Sequence, residues 1–239
     1  VAALVRVNSV GTATALDTAT TSVIAAALVL VAFHPSTAHG ESPPAAGATE
    51  RRSDFVLAVG GGVELFGASG YPNRADAIDV PAEKVDTGLS IGGVGSGAAG
   101  VALFDAVNVL IWAGGGGGAN ASSHSQFTAG GIRIEAFPYY FLPSPWRKGQ
   151  TSLGFLRDLG LALPAGVGVV RATEKGTGKV AEGMQSFIGV SAFYDMRIAR
   201  ILGGHLTVGP EAGLNAVFSQ SASRLGWTVG PRIVFYGGP

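Results

Sequence analysis

Residues 224–236 read Arg224-Leu-Gly-Trp-Thr-Val-Gly-Pro-Arg-Ile-Val-Phe-Tyr236. Apolar side chains recur at every second position. Leu225, Trp227, Val229, Ile233 and Phe235 share one parity, and Gly226, Thr228, Gly230 and Arg232 share the other. A period of two is that of an extended strand, whose successive side chains leave opposite faces of a sheet. An amphipathic helix would repeat every 3.6 residues instead.

The same pattern recurs upstream. Phe55, Leu57, Val59, Val63 and Leu65 oppose Ala58, Gly60, Gly62 and Glu64. Residues 159–170 set Leu159, Leu161, Leu163, Val167 and Val169 against Gly160, Ala162, Gly166 and Gly168. Residues 205–218 set Leu206, Val208, Leu214 and Phe218 against His205, Thr207, Glu211 and Asn215. Weaker segments fill the gaps at 87–104, 107–116, 127–141 and 184–198, giving eight candidate strands. Polar stretches at 67–86, 117–126 and 171–183 read as loops on one side. Short turns near Asp105 and at 199–204 lie on the other, with a longer connection at 142–157.

Composition narrows the class. The chain has 239 residues, of which 38 are Gly, more than twice the ~7% share usual in proteins. Charged residues are 13%, half the ~25% of an ordinary soluble domain, and mean hydropathy is +0.36. A disordered polar chain has the reverse balance. There is no Gly-X-Y period, so collagen is excluded. Sixteen basic and sixteen acidic residues give zero formal charge. A nucleic-acid binder would show a basic excess. With no Cys, disulfides, thiolate metal sites and Cys nucleophiles are excluded.

Near the N-terminus, Val23–Phe33 is an eleven-residue apolar run followed by Ser36, Ala38 and Gly40. It is too short to span a bilayer as a helix and fits the core of an export signal. Residues 1–40 are therefore expected to be a signal peptide, with Val1–Thr20 a candidate for sequence upstream of the true start. Residues 41–53 are expected to be a disordered linker, and 54–239 one barrel domain.

An even number of strands with long loops on one side fits an eight-stranded, antiparallel, up-and-down transmembrane β-barrel. In lipid every backbone polar group must be paired, so the sheet must close. The apolar parity would then face lipid and the Gly/polar parity the lumen. A soluble sandwich gives the same alternation with its apolar face inward, so periodicity alone does not separate the two. Aromatics at segment ends favour the membrane: Phe55, Phe104, Phe137–Phe141 and Tyr236 at one interface, Phe66, Phe127 and Phe218 at the other.

The closing stretch resembles the terminal β-signal of bacterial outer-membrane barrels, polar-x-Gly-x-x-hydrophobic-x-hydrophobic ending in an aromatic. Thr228, Gly230, Ile233 and Phe235 fill its positions and Tyr236 supplies the aromatic, with Gly237-Gly238-Pro239 following. The plan is similar to small Gly-rich barrels of the OmpA/OmpX type. The resemblance implies an outer-membrane location and recognition by the barrel-assembly machinery. It also implies a lipid-embedded, monomeric chain with a structural, adhesive or surface role.

Seven charged residues fall on the expected lumen parity: Glu64, Arg133, Glu135, Asp195, Arg197, Glu211 and Arg232. An eight-stranded barrel is just wide enough for side chains to fill. These seven are expected to form a nearly neutral ion-pair network, because an unpaired buried charge is costly. The alternate Gly would leave room for the long side chains. Other motifs fail on inspection. Gly93-Val-Gly-Ser-Gly-Ala98 lacks the following helix of a dinucleotide site, and Gly178-Lys179 precedes Val180 where a phosphate loop needs Ser or Thr. His205 and Thr207 could suggest a His/hydroxyl pair like that of lipid A deacylases, but read better as polar lumen residues. With only four His, a metal site is not expected.

The expectation is a non-enzymatic outer-membrane barrel without cofactor or metal, acting through its extracellular loops and binding no nucleic acid. A lipid-modifying enzyme, a small pore and a soluble exported all-β binding domain are the alternatives.

Overall fold

The computed structural model describes residues 54–74, 76–103, 106–142, 156–219 and 221–238. The expected signal peptide, the linker and Phe104 lie outside these residues. The strands are β1 (Asp54–Gly70), β2 (Val85–Leu103), β3 (Val107–Ala119), β4 (Ser123–Ala136), β5 (Leu159–Glu174), β6 (Val180–Tyr194), β7 (Met196–Ile201), β8 (Gly204–Phe218) and β9 (Ala222–Tyr236). Each pairs antiparallel with its chain neighbour, save that β6 pairs with β8 and β1 with β9. The short β7 continues the line of β6 past a break at Asp195 and also pairs with β8. The segments thus form eight barrel strands in a closed ring with no open edge, as lipid requires.

Cross-strand partners fix the tilt. From Ser125 on β4 they run to Gly118, Gly92, Glu64 and Thr228, then Gly213, Ser191 and Ala162, and return to β4 at Glu135. The circuit closes ten residues from its start (135 − 125), so the strands must incline, by the ~35–45° usual for barrels. The incline carries residues far apart in register to similar heights in the lumen.

The apolar parity faces outward. Leu214, Trp227, Leu65 and Ile91 lie side by side on four neighbouring strands. Leu89, Ile111 and Met184 are each 75% exposed or more. A soluble sandwich would bury this parity. An apolar belt around a closed barrel is instead the surface that a bilayer covers. This is a membrane-spanning barrel. No helix of the described residues is long and apolar enough to cross a membrane.

The structure redraws three features. The strand expected at 127–141 stops at Ala136, and Pro138–Phe141 forms a 3-10 turn, because Pro brings no N–H to a ladder. The expected loops shrink to 71–84, 120–122 and 175–179, since His124, Arg171 and Glu182 are paired strand residues standing above the apolar belt. Third, the expected aromatic girdle is incomplete. Phe66, Phe127, Phe137 and Tyr236 carry lumen parity and are 5% exposed or less, whereas Phe141 and Phe218 are exposed and Phe55 is half-buried.

Most lumen-facing Gly serve close backbone approach rather than side-chain room. A β-carbon at Gly230 would be driven into the carbonyl of Gly61 on the next strand. Gly226 and Gly160 are where room is needed, since a β-carbon would strike the Glu64 carboxylate at the first and the Phe193 ring at the second.

Candidate functional site

The lumen is filled in two layers. The layer nearer the chain termini is centred on Glu135, on β4. Its carboxylate accepts from Arg133 Nε at 2.8 Å, Arg232 Nη1 at 2.8 Å, Arg232 Nη2 at 3.2 Å and Asn108 Nδ2 at 2.8 Å. Arg232 also lies 3.1 Å through Nε from Asp195 Oδ1, and its guanidinium stands 3.8 Å over the ring of Phe193. Tyr236 Oη donates to Asp195 Oδ2 at 2.6 Å. Arg133 reaches on to Glu211 at 2.9 Å, and Ser191 Oγ donates to the same oxygen at 2.6 Å. Glu135, Asp195 and Arg232 are all buried, so each charge has given up water for fixed partners.

The layer nearer the loops is built on Arg224, from β9. It grips Glu64 on β1 with both terminal nitrogens, Nη1 to Oε1 at 2.7 Å and Nη2 to Oε2 at 2.5 Å. The guanidinium lies between two rings, 4.2 Å from the centroid of Phe66 and 4.1 Å from that of Phe127. A planar delocalised cation suits both contacts at once, which Lys could not match. Asn215 Nδ2 adds a bond to Glu64 at 3.3 Å. Phe127 continues to Phe187 and Trp112, with centroids 6.4 and 4.8 Å apart.

Between the layers is a cavity of about 100 Å³. Gly60, Gly114, Ser96 and Thr228 line its wall, with Arg133 and Glu211 at one end and Asn215 at the other. The rest of its wall is largely apolar, with Trp112, Phe127 and Phe187 among the lining residues.

Of the seven charged residues expected in the lumen, the structure brings Arg133, Glu135, Asp195, Glu211 and Arg232 into one cluster and places Glu64 in the other. Arg197 is not among them. It is exposed, although its backbone pairs with that of the inward-facing Thr207, because it lies on the short β7 near the terminal end of the barrel, where every residue is exposed. Arg224, Asn108 and Tyr236 went unassigned to the network. Arg224 and Tyr236 share the parity of Arg232 in the quoted segment, so that signal was present. Of the terminal-signal residues, Ile233 and Phe235 face outward, while Thr228 and Gly230 face the cavity.

The loop end is crossed by residues 71–84. Ala77 there is fully buried, Tyr71 N donates to Ser221 O at 2.6 Å, and Lys179 Nζ on the far side donates to Ala82 O. Beneath it Ala68, Val85, Ala172 and Ala181 form an apolar cluster. This segment is a strap across the mouth.

His205 and Thr207 both face inward and are buried, and the Thr207 hydroxyl donates to Val234 O at 3.3 Å. Neither stands on the lipid face. Among the described residues no group of three or more His, Asp or Glu is placed to hold a metal.

No protein-family model matches the chain, and no curated protein matches it. Solved structures similar to it are bacterial barrels. Neisserial surface protein A is 12% identical, with 75% of this chain and 96% of that one covered and a TM-score of 0.39. The attachment invasion locus protein Ail of Yersinia pestis is 7% identical, with 76% and 99% covered and a TM-score of 0.41. The N-terminal β-barrel domain of Pseudomonas aeruginosa OprF is 13% identical, with 77% and 99% covered and a TM-score of 0.36. The ring of eight paired strands and its outward apolar belt, not these distant likenesses, are what the functional reading rests on.

Proposed function

We propose that the chain is a plugged barrel of a bacterial outer membrane that acts as a membrane-embedded scaffold and presents the 71–84 strap to the outside. The observation that supports it is the filled lumen. Two layers of buried ion pairs, one walled by aromatic rings, cross the interior at different heights. Permeation would have to break pairs whose members cannot be left alone without a cost of ~3–5 kcal/mol. The strap, with Arg74, Asp76, Asp79 and Glu83 exposed or half-exposed, is the longest described connection at its end and the surface available to a partner. The other loops at that end add little, being 120–122, 175–179 and 219–221.

In this reading the termini lie in the periplasm, and Ile233 and Phe235 on the outside of β9 are the side chains an assembly factor meets. The chain works as a monomer and needs no cofactor. Planar-bilayer recording tests it: purified protein should insert without stepwise conductance. Steady channels from the unmodified protein would favour the small-pore reading instead. Protease cleavage of intact cells within 71–84, without loss of the barrel, would locate the strap outside.

A further inference from the structure

The chamber between the two ion-pair layers has a divided wall. Trp112, Phe127 and Phe187, from β3, β4 and β6, give it an aromatic side. Gly60, Gly213 and Gly230, from β1, β8 and β9, bring bare backbone. Gly60 differs from its neighbours. A β-carbon at Gly62 or Gly230 would run into backbone, but one at Gly60 would meet nothing nearer than 3.6 Å. Close approach of strands accounts for Gly62 and Gly230 and leaves the space beside Gly60 unexplained.

The polar groups of the wall are few. Arg133 and Glu211 pair at 2.9 Å, so their charges cancel. Asn215 turns Nδ2 to the Glu64 carboxylate, which can only accept. Its Oδ1 is left with no hydrogen-bond partner, although the residue is only 8% exposed. A buried acceptor without a donor is costly. Water alone answers this poorly, because it needs about two to four polar partners and the rings offer none. The Trp112 indole N–H is already committed to Ile132 O at 3.1 Å.

We propose that this chamber binds one small neutral amphiphile, an apolar body of about three to five carbons ending in a hydroxyl. Size limits the body, since the chamber, at about 100 Å³, is smaller than the ~150 Å³ apolar cavity that accepts benzene. Neutrality follows from the wall, because a charged ligand would be buried beside a pair that is already balanced. The hydroxyl donates to Asn215 Oδ1, and the carbon body lies between the rings and Gly60.

Fluorine NMR of the barrel in lipid nanodiscs tests it. The probes are fluorobutanol, fluorobutane and fluorobutyrate, each fluorinated at the terminal carbon. Fluorobutanol should give a saturable resonance distinct from the bilayer pool, with a nuclear Overhauser contact to the Trp112 indole. Fluorobutane, lacking the donor, should bind about ten-fold more weakly. Fluorobutyrate should not bind. Gly60→Val and Val94→Phe fill the chamber from two strands, and each should remove the resonance in a folded barrel, which heat-modifiable gel mobility identifies. If neither variant folds, the Overhauser contact decides. Folded protein without a saturable resonance would mean a chamber that holds only water, and would overturn the proposal. So would contacts to the outward-facing Trp227 in place of Trp112, equal affinity for fluorobutanol and fluorobutane, or a resonance that survives in the folded variants. The plugged-barrel reading would stand in each case, since it rests on the ion-pair layers.

Discussion

Arg224 holds Glu64 across the seam where the first and last strands of the barrel meet, 160 residues apart in the chain. The same last strand carries Arg232 and Tyr236, which reach Glu135 on β4 and Asp195 beyond β6. Strand β9 thus closes the ladder and also delivers two guanidiniums and a phenol to carboxylates on β1, on β4 and in the break between β6 and β7. Closing the sheet therefore also completes both ion-pair layers, since Arg224 and Arg232 come from the closing strand.

Removing one side of the seam pair should cost more than removing both. Arg224→Ala leaves the Glu64 carboxylate buried without its cation and should destabilise by about 3–5 kcal/mol. Glu64→Gln/Arg224→Met should cost less than Arg224→Ala alone. Equilibrium urea unfolding in detergent or lipid vesicles measures both. Additive losses in the double variant would contradict the coupling.

Tyr236→Phe separates two roles of that residue. The ring is kept for any assembly factor that reads an aromatic end, and the hydroxyl is lost with its 2.6 Å bond to Asp195 and the 3.5 Å bond it accepts from Asn108 Nδ2. A hydrogen bond to a charged group is worth ~1.5–3 kcal/mol. Unfolding should move by about that amount, with unchanged yield of membrane-inserted protein. An inserted yield that falls while the unfolding midpoint stays fixed would reverse the assignment.

Arg197→Ala should cost no more than about 1 kcal/mol, because the side chain is exposed and exposed charge pairs contribute ~0–1 kcal/mol. Glu135→Ala should cost several kcal/mol, since it strands two cations. Parallel unfolding curves decide it. Equal losses would restore Arg197 to the network.

Gly226→Ala and Gly93→Ala contrast the two faces. The first forces a methyl against the Glu64 carboxylate, and overpacking of this kind costs ~1–3 kcal/mol. The second adds a methyl on the outer face, with its nearest neighbour 3.9 Å away, and should be nearly neutral. The difference in unfolding midpoint checks the direction in which the two Gly face.

Much of this was legible in the alternation. Strand positions follow from parity, because a strand that faces lipid on one side and lumen on the other cannot slip by one residue. The inward parity is shared by Glu64, Arg133, Glu135, Asp195, Glu211 and Arg232. Parity also pairs Arg197 with the inward-facing Thr207, but parity does not say how far along the strand the lumen stops and solvent begins. The inward aromatics were misread because an interface girdle and a cation sandwich both want rings near strand ends. Only parity separates them, and Phe66 shares its parity with Glu64. Loop lengths were overestimated because polarity above the apolar belt looks like loop while the backbone is still paired. The cross-lumen partners were not legible, since they depend on the tilt and so on the register around the whole ring.

The measurement that bears most directly on the central claim is gel mobility of the membrane fraction before and after boiling. A closed, plugged, membrane-spanning barrel should be extracted only by detergent, and should migrate as a compact species when unheated and at a shifted position after boiling. Recovery in the soluble fraction without detergent, with one mobility under both conditions, would contradict it.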